Sequence, residues 1–134
     1  MVWLSALLIL LPLWGLQMPE AQTGKILRVH ISEHDHYNGK PLYEAIVQKC
    51  REMKIAGATV FKGFEGYGET AEIHRSHLMR HDLPILITIV DSESQMRKLI
   101  PVLDEMLDTG LMAMSDVEIM RCQKAPQTNM PQPE

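Results

Sequence analysis

Apolar and polar positions change their period several times along the chain, and each change marks an element. From Ile26 to Ile31 they alternate, with Leu27, Val29 and Ile31 on one side and Ile26, Arg28 and His30 on the other, the two-residue period of a strand. Ser32 to Gly39 is polar and ends in Asn38-Gly39, a strong turn signal. Pro41 then suits the first turn of a helix, where its missing N–H is not needed. Leu42, Ala45, Ile46, Lys49, Cys50 and Met53 follow at helical spacing, with only Lys49 interrupting the apolar stripe. Gly57 is placed to end this helix in a left-handed conformation. A second strand, Ala58 to Phe64, is rich in β-branched and aromatic residues. A third, Leu83 to Val90, is apolar on both alternating faces, as in a central strand covered on both sides. Ser92-Glu93-Ser94-Gln95 fits a capping box, with Ser92 as N-cap and Gln95 reaching back. Met96, Leu99, Ile100, Leu103, Met106 and Leu107 then form the stripe of a second helix, which Pro101 should kink or divide. Gly110 ends that helix, and Val117, Ile119 and Arg121 alternate in a last strand.

The order strand, helix, strand, strand, helix, strand is the split βαβ, ferredoxin-like motif. It predicts an α+β domain: one four-stranded antiparallel sheet with both helices packed on one face. The opposite face is then bare, although the third strand offers apolar residues to it. Soluble monomers rarely expose a large apolar patch. The pattern therefore predicts a closed symmetric oligomer whose sheets bury one another, with ligand sites where neighbouring subunits meet.

The length of 134 residues suits one domain with one core. At 46% hydrophobic and 22% charged residues the composition is that of a soluble globular protein. A net charge of -4 argues against general nucleic-acid binding, which needs a basic surface. Two cysteines make no disulfide framework, and Cys50, on the helical stripe, reads as a buried thiol rather than a nucleophile. The domain is expected over residues 24–122. Before it, residues 1–23 form an apolar N-terminal segment whose run from Val2 to Leu16 is shorter than the about 20 residues a spanning helix needs. The first basic side chain is Lys25, so a positive signal-peptide n-region is missing. The reading adopted is translation from Met18 and a cytoplasmic protein; the alternatives are export or membrane anchoring through residues 1–16. The tail 123–134 is polar, contains proline and is expected to be disordered.

Candidate chemistry gathers in Ala56 to His74, AGATVFKGFEGYGETAEIH, and in the long connection Glu65 to Asp82. Connections of this length in compact domains are usually functional. Gly66 and Gly68 would let backbone N–H groups face an anion, with Lys62, His74 and Arg75 adding positive charge; the competing reading is a hairpin whose glycines only serve turns. No GxxxxGK[ST] loop is present, so nucleotide hydrolysis by that route is unsupported. His34, His36, His74 and His77, with Glu33 and His81, compose an alternative: a divalent transition-metal site of imidazoles and carboxylate. An enzyme would need a rigidly held base, nucleophile or carboxylate pair. Glu33, Asp35 and Glu44 all have simpler roles as caps or surface charge, so the chain reads as a non-enzyme.

The runs NGKPLYEAIVQKCREMKIAGATVFKGFEGYG, then Ile73-His74, then DLPILITIVD, resemble a bacterial family of uncharacterised proteins, domain of unknown function 190. The resemblance covers about Lys25 to Arg121. The family's usual Gly-Glu after the first strand is Ser32-Glu33 here, and its usual Gly-Phe-Gly is Gly66-Tyr67-Gly68. That family is related in fold to the PII signal-transduction proteins. The resemblance implies a homotrimer, with a regulatory loop at Glu65 to Asp82. By the same likeness it implies a small anionic effector, a nucleotide being the first example, bound at subunit clefts, and a regulated partner such as a membrane transporter. The residues assigned to the ligand are Glu33, Lys40, Lys62, Gly66, Gly68, His74 and Arg75. The divalent-cation tolerance proteins, trimeric relatives in fold, lend the metal alternative its context.

Overall fold

In the computed structural model residues 19–67 and 83–122 are described. In chain order the elements are β1 (Ala21–Ser32), β2 (His36–Tyr37), β3 (Lys40–Pro41), α1 (Leu42–Glu52), β4 (Gly57–Lys62), β5 (Pro84–Asp91), α2 (Glu93–Met106) and β6 (Leu111–Met120). The four long strands form one antiparallel sheet in the order β4-β5-β1-β6. This is the ferredoxin-like arrangement predicted from the element order. Thr23–Glu118 is one compact unit; the chain ends, Met1–Gln22 and Ile119–Glu134, group as a second, and its described residues are the outer ends of β1 and β6 with the residues flanking them.

One core explains why both helices share a face. Leu27, Val29 and Ile31 of β1 and Ile85, Ile87 and Ile89 of β5 are buried in the same cluster as Leu42, Ile46 and Cys50 of α1. Met96, Leu99, Leu103 and Met106 of α2 complete that cluster. Ala58 and Val60 of β4 and Met112 and Met114 of β6 pack on it from the sheet's flanks. The alternate residues lie on the other face. Pairing sets Phe61, Leu86 and His30 in one row across β4, β5 and β1, and Thr59, Thr88 and Arg28 in the next. Phe61 and Leu111 keep 52% and 49% of their surface exposed, and Ile26, Leu86 and Val90 are half-buried. The bare face is thus apolar in part, with Arg28 and His30 among its residues.

Several local expectations change. β4 stops at Lys62, and Phe64 beyond it is fully exposed. Pro41 is the N-cap of α1, which starts at Leu42. Lys54, at φ 57, takes the left-handed position after α1, while Gly57 opens β4. Ile55 N donates to Cys50 O at 2.9 Å and Lys54 N to Arg51 O at 3.1 Å, the bonding of a Schellman motif. Ile55 packs on the core as it turns back, so the hydrophobic contact sets the site of the turn. Half of the capping box forms: Gln95 N donates to Ser92 Oγ at 3.3 Å, whereas Ser92 N donates to Asp91 Oδ1 at 2.6 Å. Asp91 also accepts from Ala56 N at 2.9 Å, fastening the entry of β4 to the end of β5.

α2 runs unbroken through Pro101, whose exposed position leaves the one carbonyl deprived of an N–H facing water. That helix closes with Leu107 N on Leu103 O, three residues before Gly110. Gly110 instead opens β6 at φ 144, where a Cβ would lie 2.9 Å from His30 O. β6 begins at Leu111, well before the predicted Val117, because Met112 and Met114 supply its core-facing side chains.

No helix among the described residues is long and apolar enough to cross a membrane; the segment 1–16 lies outside them, as does the tail 123–134. Truncating the fully buried Leu99 to Ala should cost about 2–5 kcal/mol in a urea titration, as for other large-to-small core changes. Burial pushes the Cys50 thiol up to about 11, while Cys122 is exposed. Ellman's reagent at pH 8 should therefore label Cys122 alone in the native protein, and Cys50 only after denaturant is added.

Candidate functional site

Three strands end together at one edge of the sheet. The pairings Ser32↔Pro84 and Lys62↔Ile85 are the last of their ladders, so the residue after β1, the end of β4 and the start of β5 meet there. Lys62 Nζ donates to Glu33 Oε1 at 2.6 Å. Glu33 N donates to Leu83 O at 2.9 Å, and Gly63 N to Pro84 O at 2.8 Å. Glu33 consequently binds both ends of the long connection, its departure by a side-chain ion pair and its return by the backbone.

Packing at this edge explains two of the glycines. A Cβ at Gly63 would lie 2.8 Å from Pro84 Cγ, and one at Gly66 3.2 Å from it. Neither glycine has a positive φ; both let the chain pass close to the proline ring, tightly at Gly63 and with less constraint at Gly66.

The electrostatics are lopsided. The hydrogen bond from Lys62 holds the Glu33 carboxyl below its usual 4.5, outweighing the opposing effect of desolvation, and the nearby Lys62 and His34 charges add to the lowering. Glu33 retains 27% of its side-chain surface, yet its Oε2 is covered and has no hydrogen-bond partner among the described residues. Lys62 is 53% exposed, which leaves two of its three N–H groups for another acceptor.

Of the residues assigned from the sequence, Glu33, Lys62 and Gly66 gather at this edge. Lys40 stands apart, in the β2–β3 hairpin that turns through Asn38 (φ 50) and Gly39 (φ 79), as the Asn-Gly pair predicted. Its charge lies instead near Glu52, whose carboxyl is held down chiefly by Lys49 and Gln48 and to a lesser degree by Lys40. Asp35 is structural: it accepts from Ser32 N at 2.8 Å through Oδ2, and its carbonyl accepts from Leu42 N at 2.8 Å. His34 and His36 are exposed, and His36 Nδ1 donates to His34 O at 2.6 Å. Among the described residues no three His, Cys, Asp or Glu side chains gather as metal ligands. Gly68, His74, Arg75, His77 and His81 lie outside the described residues. Sequence reasoning missed Leu83 and Pro84, which carry backbone acceptors of the site. Their only signal was a Leu-Pro pair at the mouth of an apolar strand.

Residues 24–119 match the sequence profile of domain of unknown function 190, described as "Uncharacterized ACR". The chain belongs to this family. A UPF0166 protein of Aquifex aeolicus is 34% identical over 98 residues, spanning 72% of this chain and 92% of the relative. A UPF0166 protein of Methanocaldococcus jannaschii is 33% identical over 100 residues, with the same coverage. Among solved structures, CPII of Thiomonas intermedia K12, a nitrogen regulatory PII-like protein bound to ADP, AMP and bicarbonate, superposes with a TM-score of 0.56. The match covers 78% of this chain and 94% of that one at 18% identity. The fold of this family member is therefore PII-like.

The ion pair has a direct test. In a carbon-detected NMR titration the Glu33 carboxyl should titrate below 4.5 in the native protein. In Lys62→Met it should move upward, because the carboxyl then loses its ammonium donor and that donor's charge while Oε2 stays covered. The sign for stability follows. Ionised Glu33 contributes above pH 4.5, and the contribution fades as pH falls through the lower folded-state value. A Glu33 value unchanged in Lys62→Met would show that the pair does not form in solution.

Proposed function

We propose that this member of the domain of unknown function 190 family is a PII-like regulatory protein and not an enzyme. It acts as a homotrimer that binds a small anionic effector, a nucleotide in the first instance, at clefts between subunits. The observation that carries this reading is the half-exposed Lys62 ammonium, held by Glu33 at the point where the long connection leaves and rejoins the sheet. A cation with unused donors at the base of a long connection suits an anion whose arrival has to be felt by that connection. Trimer formation is supported by the bare sheet face, where Phe61, Leu111, Leu86, Val90 and Ile26 await cover. CPII, of similar fold, is bound to ADP, AMP and bicarbonate, which makes adenine nucleotides the first ligands to try.

In this reading Lys62, with Gly66, Gly68, His74 and Arg75, faces the effector, and Glu33 belongs to the site as the neighbour paired with Lys62. Lys40 drops out of the set, since its charge lies near Glu52. The connection Glu65 to Asp82 carries the signal to a partner protein, a membrane transporter being the type considered, and the protein works in the cytoplasm. The acidic composition still argues against nucleic acid as the partner.

Native mass spectrometry of the full chain, alone and with ADP, AMP, bicarbonate or Zn²⁺, tests the proposal. A trimer that takes up a nucleotide is the expected result. A trimer that takes up only Zn²⁺, and loses it on replacing His34 and His36 with Ala, would replace this reading by the metal-binding one. A monomer would overturn the assembly and the intersubunit site together.

A further inference from the structure

The charges at the β1–β4–β5 edge are arranged so that the cation of the site is already occupied. Lys62 Nζ spends one N–H on Glu33 Oε1 at 2.6 Å and presents the others to solvent. An anion reaching those N–H groups comes close to the Glu33 carboxylate as well. Two negative groups on one ammonium repel each other, and one has to leave or be neutralised. Glu33 is the weaker holder. Its Oε2 is covered without a hydrogen-bond partner among the described residues, a desolvation cost that the side chain sheds if it turns outward into water. The Glu33 backbone would stay in place meanwhile, because its N–H remains on Leu83 O at 2.9 Å.

We infer that Glu33 is a built-in competitor for the effector: it serves as the counter-ion of Lys62 in the free protein, and an anionic ligand binds by displacing it. The inference rests on the effector reading above and adds its regulation. The exchange is balanced in charge, since Lys62 keeps one anion throughout. It also supplies a link to the long connection, because the displaced pair is the side-chain tie between the residue after β1 and the end of β4. Lys62 is the last residue before the chain departs, and Leu83, the backbone partner of Glu33, is where it returns. Direct recognition of the ligand by Glu33, as an acceptor for a hydroxyl or amino group, predicts the opposite sign for its removal.

The test is isothermal titration of the protein with ADP, in the wild type, Glu33→Gln, Lys62→Gln and the double variant, each first checked to be folded at the temperature of the titration and unchanged in oligomeric mass. Glu33→Gln should bind ADP about two- to fivefold more tightly, the range expected from releasing one exposed ion pair. Lys62→Gln should bind it more weakly. In the Lys62→Gln background the Glu33 substitution should change nothing, which a merely structural role would not produce. A second measurement needs no variant: saturating ADP should raise the pH at which the wild-type Glu33 carboxyl titrates in NMR, as it loses Lys62. Unchanged or weaker ADP binding in Glu33→Gln, or a Glu33 titration that stays low with ADP bound, would overturn the inference and leave the effector reading standing. No ADP binding by either wild type or Glu33→Gln would remove the effector reading, and this inference with it.

Discussion

Eight paired positions, from Lys25↔Asp91 to Ser32↔Pro84, hold β1 against β5 at the centre of the sheet, and the rest of the molecule follows from that ladder. The antiparallel register sends Leu27, Val29, Ile31, Ile85, Ile87 and Ile89 to one side, where α1 and α2 cover them. A slip of β1 by one residue would turn Leu27, Val29 and Ile31 outward and bring Arg28 and His30 into the core. The same ladder brings the end of β1 beside the start of β5. The pairing of β4 with β5 then adds Lys62 to that end. A charged pair at the sheet's edge is thus a by-product of hydrophobic registration two strands away.

At that edge, close packing and charge act on the same few residues. Gly63 and Gly66 let the chain lie against Pro84, whose carbonyl takes the Gly63 N–H, so the exit of β4 is held by backbone and ring contacts. The Glu33–Lys62 pair is of another kind. It is partly exposed, and among the described residues it leaves one carboxylate oxygen unpartnered, which is why the proposed exchange is placed there. A rigid base carrying one exchangeable ion pair is a sensible construction for a protein meant to respond to a ligand. The pair lies outside the buried core, so exchanging its partner would leave that core undisturbed.

The opposite face of the sheet bears on assembly. Its apolar residues are interspersed with Thr59, Thr88, Arg28 and His30, and Arg28 reaches Ser115 of β6 at 3.4 Å. A face of this mixed kind joins polar groups that tolerate water to apolar groups that burial would favour.

By itself, the sequence determined the elements and the fold class, because these depend on period and on local chemistry. The two-residue alternation of Leu27, Val29 and Ile31, the helical stripe from Met96 to Met106 and the Asn38-Gly39 turn each report on their own neighbours in the chain. The family motifs supplied the same answer independently. What the pattern misjudged was set by contacts distant in sequence. Lys54 adopts the left-handed conformation because Ile55 must return to the core, and Gly110 is needed where β6 passes the carbonyl of His30. Met112 and Met114 become strand residues because the core reaches them. The site shows the same division. Glu33 and Lys62 stood out as charged residues in promising segments, but 29 positions separate them. Only the register of three strands decided that they meet and that Lys40 does not join them.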